Sequence, residues 1–281
     1  ASAPLIGASA TQVAVTNATD VVNGDTSTIA ALLARPGPDG ISFREALRAA
    51  NGVSGPKTIL FDASVAGATI TIAADGELLL LASGDLSIEG DIDHDGQHDI
   101  TLDGHLGRGG TPSGPGLNIV SSHNTIRGLR LVEFCGSAIQ IACPDAACGD
   151  KRFMGNRILD NIISSSRAPG ITITTLGLRP VEEAPLFSDI LFQDILISGN
   201  SISTTAQCMY IDPAVGGGKR NRMIGLTISH NRLYTSAEVA LDILVADVNS
   251  AYFGLPGPIQ YSDDSLIQGL TIADNQIQAA R

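Results

Sequence analysis

Tryptophan is absent, and aromatic residues as a whole make up only 4% of the 281 residues. That scarcity counts against a β-sandwich, whose core usually needs large aromatic plugs. Apolar residues still reach 43%, mostly Ala, Leu, Ile and Val. Small and β-branched side chains suit stacked thin strands. Positive charge is also scarce: 17 Lys and Arg against 29 Asp and Glu give a formal net charge of −12. Nucleic acid and anionic membranes are disfavoured as partners, and so is a strongly polyanionic substrate unless Ca²⁺ bridges the two. No apolar run approaches the ~18 residues of a membrane-spanning helix. No stretch reads as a signal peptide, although Ala1-Ser2-Ala3 suits the remnant of a processed cleavage site.

Cysteine is limited to Cys135, Cys143, Cys148 and Cys208. The C-x₄-C spacing of Cys143 and Cys148, without a partnering His, is poor zinc chemistry; a local disulfide fits better and points to an oxidising compartment. The expected location is secreted or at a bacterial cell surface. Cys135 and Cys208 fall two repeats apart, about 10 Å at the strand spacing, beyond disulfide reach.

What the chain does have is a repeat. Ile-x-x-Asn-x-(Ile/Leu) occurs as Ile158-Leu-Asp-Asn161-Ile-Ile163, Ile197-Ser-Gly-Asn200-Ser-Ile202, Ile228-Ser-His-Asn231-Arg-Leu233 and Ile272-Ala-Asp-Asn275-Gln-Ile277. A second echo, Gly-Leu-x-(Leu/Ile), begins at Gly128, Gly225 and Gly269. Short alternating strands separated by polar corners cannot bury their inner faces alone and must stack. Asn tolerates left-handed backbone, and identical amides one strand apart can hydrogen-bond up the stack. The expected fold is therefore all-β: a single right-handed parallel β-helix over 1–281, with a cap region over about 1–57 and coils over 58–281. Leucine-rich repeats also carry Asn ladders, but their period is shorter and more regular.

Within the cap region, Ser42-Phe-Arg-Glu45 is a capping box, and Phe43, Ala46, Leu47 and Ala50 form one apolar stripe. A short amphipathic helix here suits a plug over the open end of the coils. No such plug is visible after Ile272-to-Ile277, so the expectation there is contact with another chain or with a C-terminal continuation.

Ile41-Ser-Phe-Arg-Glu-Ala-Leu-Arg-Ala-Ala-Asn51 followed by Thr58-Ile-Leu-Phe-Asp62 resembles the opening of CSLREA-type secreted and surface proteins of bacteria, with Ile41 at the family's Cys and Phe43 at its Leu. The remaining repeats resemble the pectin-lyase-like β-helix superfamily. The resemblance implies an extracellular location and frequent action on polysaccharides, in a superfamily that also holds non-catalytic adhesins and passenger domains.

Two stretches carry candidate chemistry. Asp91-Ile-Asp93-His-Asp95-Gly96-Gln-His-Asp99 places carboxylates at alternate positions around a Gly turn, as at the start of a Ca²⁺ loop. Leu102 stands where an EF-hand has its bidentate Glu, so the alternatives are a structural Ca²⁺ loop and a plain acidic turn. The other stretch is a face flanked by the inserts at 142–156, 175–188, 212–223 and 245–264. Aligning the Ile-rich strands puts Gln140, Thr172, Tyr210 and Asp242 in one outward stripe, with Thr174 and Asp212 two residues on and Lys219, Arg220 and Arg222 in the adjacent loop.

Gln140, Thr172, Thr174, Tyr210 and Asp242 suit an extended ligand: a polysaccharide, or a protein partner if the module is an adhesin or assembly scaffold. The rival is a polysaccharide lyase or uronate epimerase, with Tyr210, Asp212, Lys219, Arg220, Arg222 and Asp242 as its groups: Tyr or Lys moving the proton, Arg neutralising the enolate-like intermediate. Met209-Tyr-Ile-Asp-Pro213 is similar to the Tyr-Gly-x-Asp-Pro-His stretch of mannuronan epimerases, with Ala214 at the His and Ile211 at the Gly. Catalysis requires these groups to converge in one cleft; a binding face leaves them apart.

Overall fold

The structure, a computed structural model, describes residues 11–72, 78–104, 115–143, 150–165, 168–175, 188–213, 219–237, 239–244 and 264–279. Its strands are short and all their pairings are parallel. Among the described residues they form four sheets of eight, seven, six and four strands.

Among the described residues, each turn between Arg152 and Leu266 visits each sheet once, while the earlier turns have no strand in the four-stranded one. Arg152–Met154 lies in the four-stranded sheet, Arg157–Leu159 in the eight-stranded, Ile162–Ser165 in the seven-stranded and Ile171–Thr174 in the six-stranded. The next turn repeats the order with Leu191–Gln193, Leu196–Ser198, Ser201–Thr204 and Met209–Asp212, each paired to its counterpart one turn before. The sequence repeat thus becomes a spatial one. Ile126, Ile158, Ile197 and Ile228 are stacked in register and fully buried. Inserts that make the repeat unequal lie between strands and leave this register intact.

The expected Asn ladder is present. Asn161, Asn200, Asn231 and Asn275 stand at the corner between the eight- and seven-stranded sheets; Oδ1 of Asn200, Asn231 and Asn275 each accepts from the backbone and side-chain N–H of the Asn one turn before it, and Asn161 Oδ1 accepts from Leu129 N–H. One part of the expectation needs correcting. The left-handed residue is not the Asn but the one before it: Asp160, Gly199, His230 and Asp274 have φ of 50°, 73°, 57° and 53°. That residue turns the chain, and the Asn then points inward. At Gly199 an added Cβ would meet Asp160 Oδ1 at 2.1 Å, so a side chain there would have to displace the Asp160 carboxylate one turn earlier.

The sequence reading missed two shorter ladders. Asn124 donates to Asn156 Oδ1 before the eight-stranded sheet, and Ile190 N–H donates to Asn221 Oδ1 before the four-stranded one. Their signal, a polar residue two before an inward Ile or Met, is present but too brief to stand out.

At the amino end, helix α1 (Ile29–Ala34) and helix α2 (Phe43–Asn51) follow a strand, Gln12–Val15, that the sequence reading did not anticipate. The capping box forms as expected. Buried Glu45 also accepts N–H bonds from Asn23 and Gly24, and Arg44 pairs with Asp20 in an almost fully buried bridge. These bonds tie α2 to the preceding segment. The helix packs on strands Gln12–Val15, Lys57–Phe61 and Leu79–Leu81, with Phe43 stacked on Phe61 at 5.8 Å.

At the other end, inward positions are open. Leu226, Ile228 and Leu233 are at most 2% exposed, whereas the next residues in those stacks, Leu270, Ile272 and Ile277, are 40%, 48% and 52% exposed.

Candidate functional site

The six-stranded sheet carries the first group of candidates. Gln140, Thr172, Tyr210 and Asp242 share one register position on successive strands, and Thr174 pairs with Asp212 two residues on. The alignment of the repeats was therefore sound. The stripe is covered rather than exposed: Thr172 and Tyr210 are buried, as are Thr174 and Asp212, while Gln140 and Asp242 are half-buried. The hydroxyl of Tyr210 donates to Asp212 Oδ2 at 3.3 Å, and Thr172 shares a 2.6 Å hydrogen bond with Ser137.

Lys219, Arg220 and Arg222 lie past the next corner. Arg222 opens a strand of the four-stranded sheet, and Arg220 is the left-handed residue of the corner before it. Arg220 is engaged by Asp189 one turn earlier, through Nε to Oδ1 at 2.7 Å and Nη2 to Oδ2 at 2.5 Å. Hydrogen bonding and charge from Arg220 hold the Asp189 carboxyl below its usual range. Arg220 and Arg222 border a cleft of about 340 Å³ with Arg152, Asp150, Asp189 and Leu191. Tyr210, Asp212 and Asp242 do not line it. The six residues grouped as catalytic candidates thus divide between two sheets.

The acidic loop forms a different kind of group. Carboxylate oxygens of Asp91, Asp93 and Asp99 lie within 4.8 Å of one another. Asp95 is drawn aside, accepting from Gln97 N and Nε2 at 2.7 and 2.6 Å. The loop is braced by Gly96 N–H on Asp91 and Ile92 N–H on Asp99. It reaches across to the Asn-ladder corner, where His98 Nε2 meets the carbonyl of Asp160 at 2.7 Å. The other oxygen of Asp91, Oδ1, is buried and accepts no hydrogen bond. Three close carboxylates, one with a bare oxygen, make an arrangement that a hard cation would relieve.

Cys135 and Cys208 are free thiols, and burial pushes the Cys208 thiol up to about 11. The expected Cys143–Cys148 bridge involves Cys148, which lies outside the described residues, as do most of the inserts flanking the candidate face.

No protein-family model matches the chain, and no curated protein matches it. The resemblance to the CSLREA-type opening rests on residues 41–62 alone.

Proposed function

We propose that the chain is a right-handed parallel β-helix module, at the cell surface or secreted, that binds an extended ligand, a polysaccharide, along its lateral face. The observation that carries this reading is the register of the strands. Outward positions such as Arg152, Leu191, Arg222 and Leu266 recur once per turn. A ligand lying along the stack therefore meets a row of side chains at steps of about 4.8 Å. Linear arrays of this kind suit linear ligands better than compact ones.

Binding is favoured over lyase or epimerase chemistry because the acid–base candidates are apart. Tyr210 and Asp212 are buried on one sheet, while Arg220 and Arg222 border a cleft on another, and Arg220 is already paired. A proton-abstraction site needs these groups within hydrogen-bond reach of one substrate carbon.

Two further features belong to this reading. Asp91, Asp93 and Asp99 hold Ca²⁺ in a structural role, joining the acidic loop to the coils. The last described turn is covered in the working assembly by another chain or by a continuation of this one, because half-exposed Ile272 and Ile277 otherwise leave apolar core in water.

The test is a screen against immobilised neutral and acidic glycans, run beside an assay for unsaturated-uronate and epimerised products. Saturable glycan binding without turnover is expected. Product formation abolished by Tyr210→Phe would establish the enzyme instead.

A further inference from the structure

The cleft on the four-stranded sheet has a charge arrangement that the chain's overall acidity hides. Arg152, Leu191 and Arg222 occupy one register position on three successive strands. The two arginines therefore stand about 9–10 Å apart at the backbone, with an apolar step between them. Both are exposed, and among the described residues neither has a carboxylate within ion-pair distance. Arg220 and Asp189, at the rim, neutralise each other in a two-point bridge. With that pair cancelled, Arg152 and Arg222 share the lining with one more carboxylate, Asp150, while charge from Asp189 also reaches Arg222 and charge from Asp264 reaches Arg220. Among the described residues, three arginines against two carboxylates line the cleft, a positive balance in a protein of net charge −12.

Composition counts against a polyanionic partner, but net charge governs long-range approach, whereas binding at contact depends on the few charges within a Debye length of about 8–10 Å. Repulsion from the rest of the surface disfavours a densely charged polymer. It tolerates a chain with sparse anionic groups.

Resting on the polysaccharide reading above, we propose that Arg152 and Arg222 form an anion subsite. It takes oxyanion substituents, carboxylate or sulfate ester, carried on the bound glycan. Guanidinium groups present paired N–H donors to such oxygens. Leu191 and Ile224 supply an apolar floor, suited to the C–H face of a sugar ring rather than to a small hydrated ion.

The experiment compares the full chain with the Arg152→Gln/Arg222→Gln double variant by calorimetry. The probes are a sulfated oligosaccharide, a uronate oligosaccharide, the neutral parent oligosaccharide and poly-L-glutamate. Arg127→Gln, an exposed arginine on another sheet paired with Asp160, is the control. Wild type and control should bind one or both acidic oligosaccharides more tightly than the neutral one. The double variant should lose that preference, weakening acidic binding by about tenfold or more, with an unchanged melting temperature. Whichever acidic probe depends on the arginines identifies the substituent. Equal binding of acidic and neutral sugars, or undiminished acidic binding by the double variant, overturns this inference and leaves the polysaccharide reading standing. Arginine-dependent binding of poly-L-glutamate as tight as that of the sugars overturns the glycan assignment. Binding of none of the probes overturns both readings.

Discussion

The side-chain amide of Asn231 serves two donors of Asn200 at once: its Oδ1 accepts the backbone N–H at 2.9 Å and the side-chain N–H at 3.0 Å. Asn200 does the same for Asn161 and also donates to the carbonyl of Ile158. Each Asn therefore satisfies buried backbone groups on the turns around it as well as its own neighbours in the ladder.

Replacing Asn200 with Leu should accordingly cost far more than its size suggests. Leu has as many side-chain heavy atoms as Asn but leaves the backbone N–H of Asn161 and one of its side-chain N–H groups without an acceptor in the core, at about 1–3 kcal/mol each. A loss of roughly 3 kcal/mol is expected in denaturant melts. A midpoint equal to wild type would show that the ladder does not hold this corner.

Cys208 gives the fold an alkaline limit. Its thiol is raised by burial from 9.0 to about 11. Folded chain therefore keeps a proton that unfolded chain releases between those values, so the contribution is intact below pH 9 and lost as pH rises through 11. Stability should fall over that window, and Cys208→Ala should flatten the fall. A thiol reagent at neutral pH should leave Cys208 unmodified until the protein unfolds. Fast labelling in the native state would contradict its burial.

Calcium should raise the melting temperature of the chain at millimolar concentration, and magnesium should do so less, since it demands tighter octahedral geometry and dehydrates reluctantly. Asp93→Asn should abolish the calcium effect while leaving the loop braced through Asp91 and Asp99. A melting curve indifferent to calcium and to chelator would reduce the Asp91, Asp93 and Asp99 cluster to a solvated turn.

The open turn predicts self-association or dye binding. Ile272 and Ile277 each forgo part of the ~1.5–3 kcal/mol that full burial of such a side chain supplies. Sedimentation at micromolar concentration should show oligomers, or an exposed-hydrophobe dye should bind, and Ile272→Lys/Ile277→Lys should diminish either signal. A clean monomer with no dye response in the unaltered chain would mean that this end is already covered.

The sequence by itself determined the parts of this protein that repeat. Ile and Asn at fixed offsets have one economical use, stacking on their own images, so the parallel register, the Asn corner and the matching of Tyr210 with Thr172 and Asp242 are all legible in the residues alone. The capping box was legible too, because its four residues bond among themselves. Tertiary structure alone decided what depends on neighbours distant in sequence. The left-handed turn falls on the residue before Asn because only that geometry aims the amide inward. Tyr210 and Thr172 are buried although their strand positions point away from the core stack, since period-two alternation records direction and not cover. Arg152 and Arg222 share a cleft because two inserts of unequal length return the chain to one register, and no local pattern encodes the length of a detour.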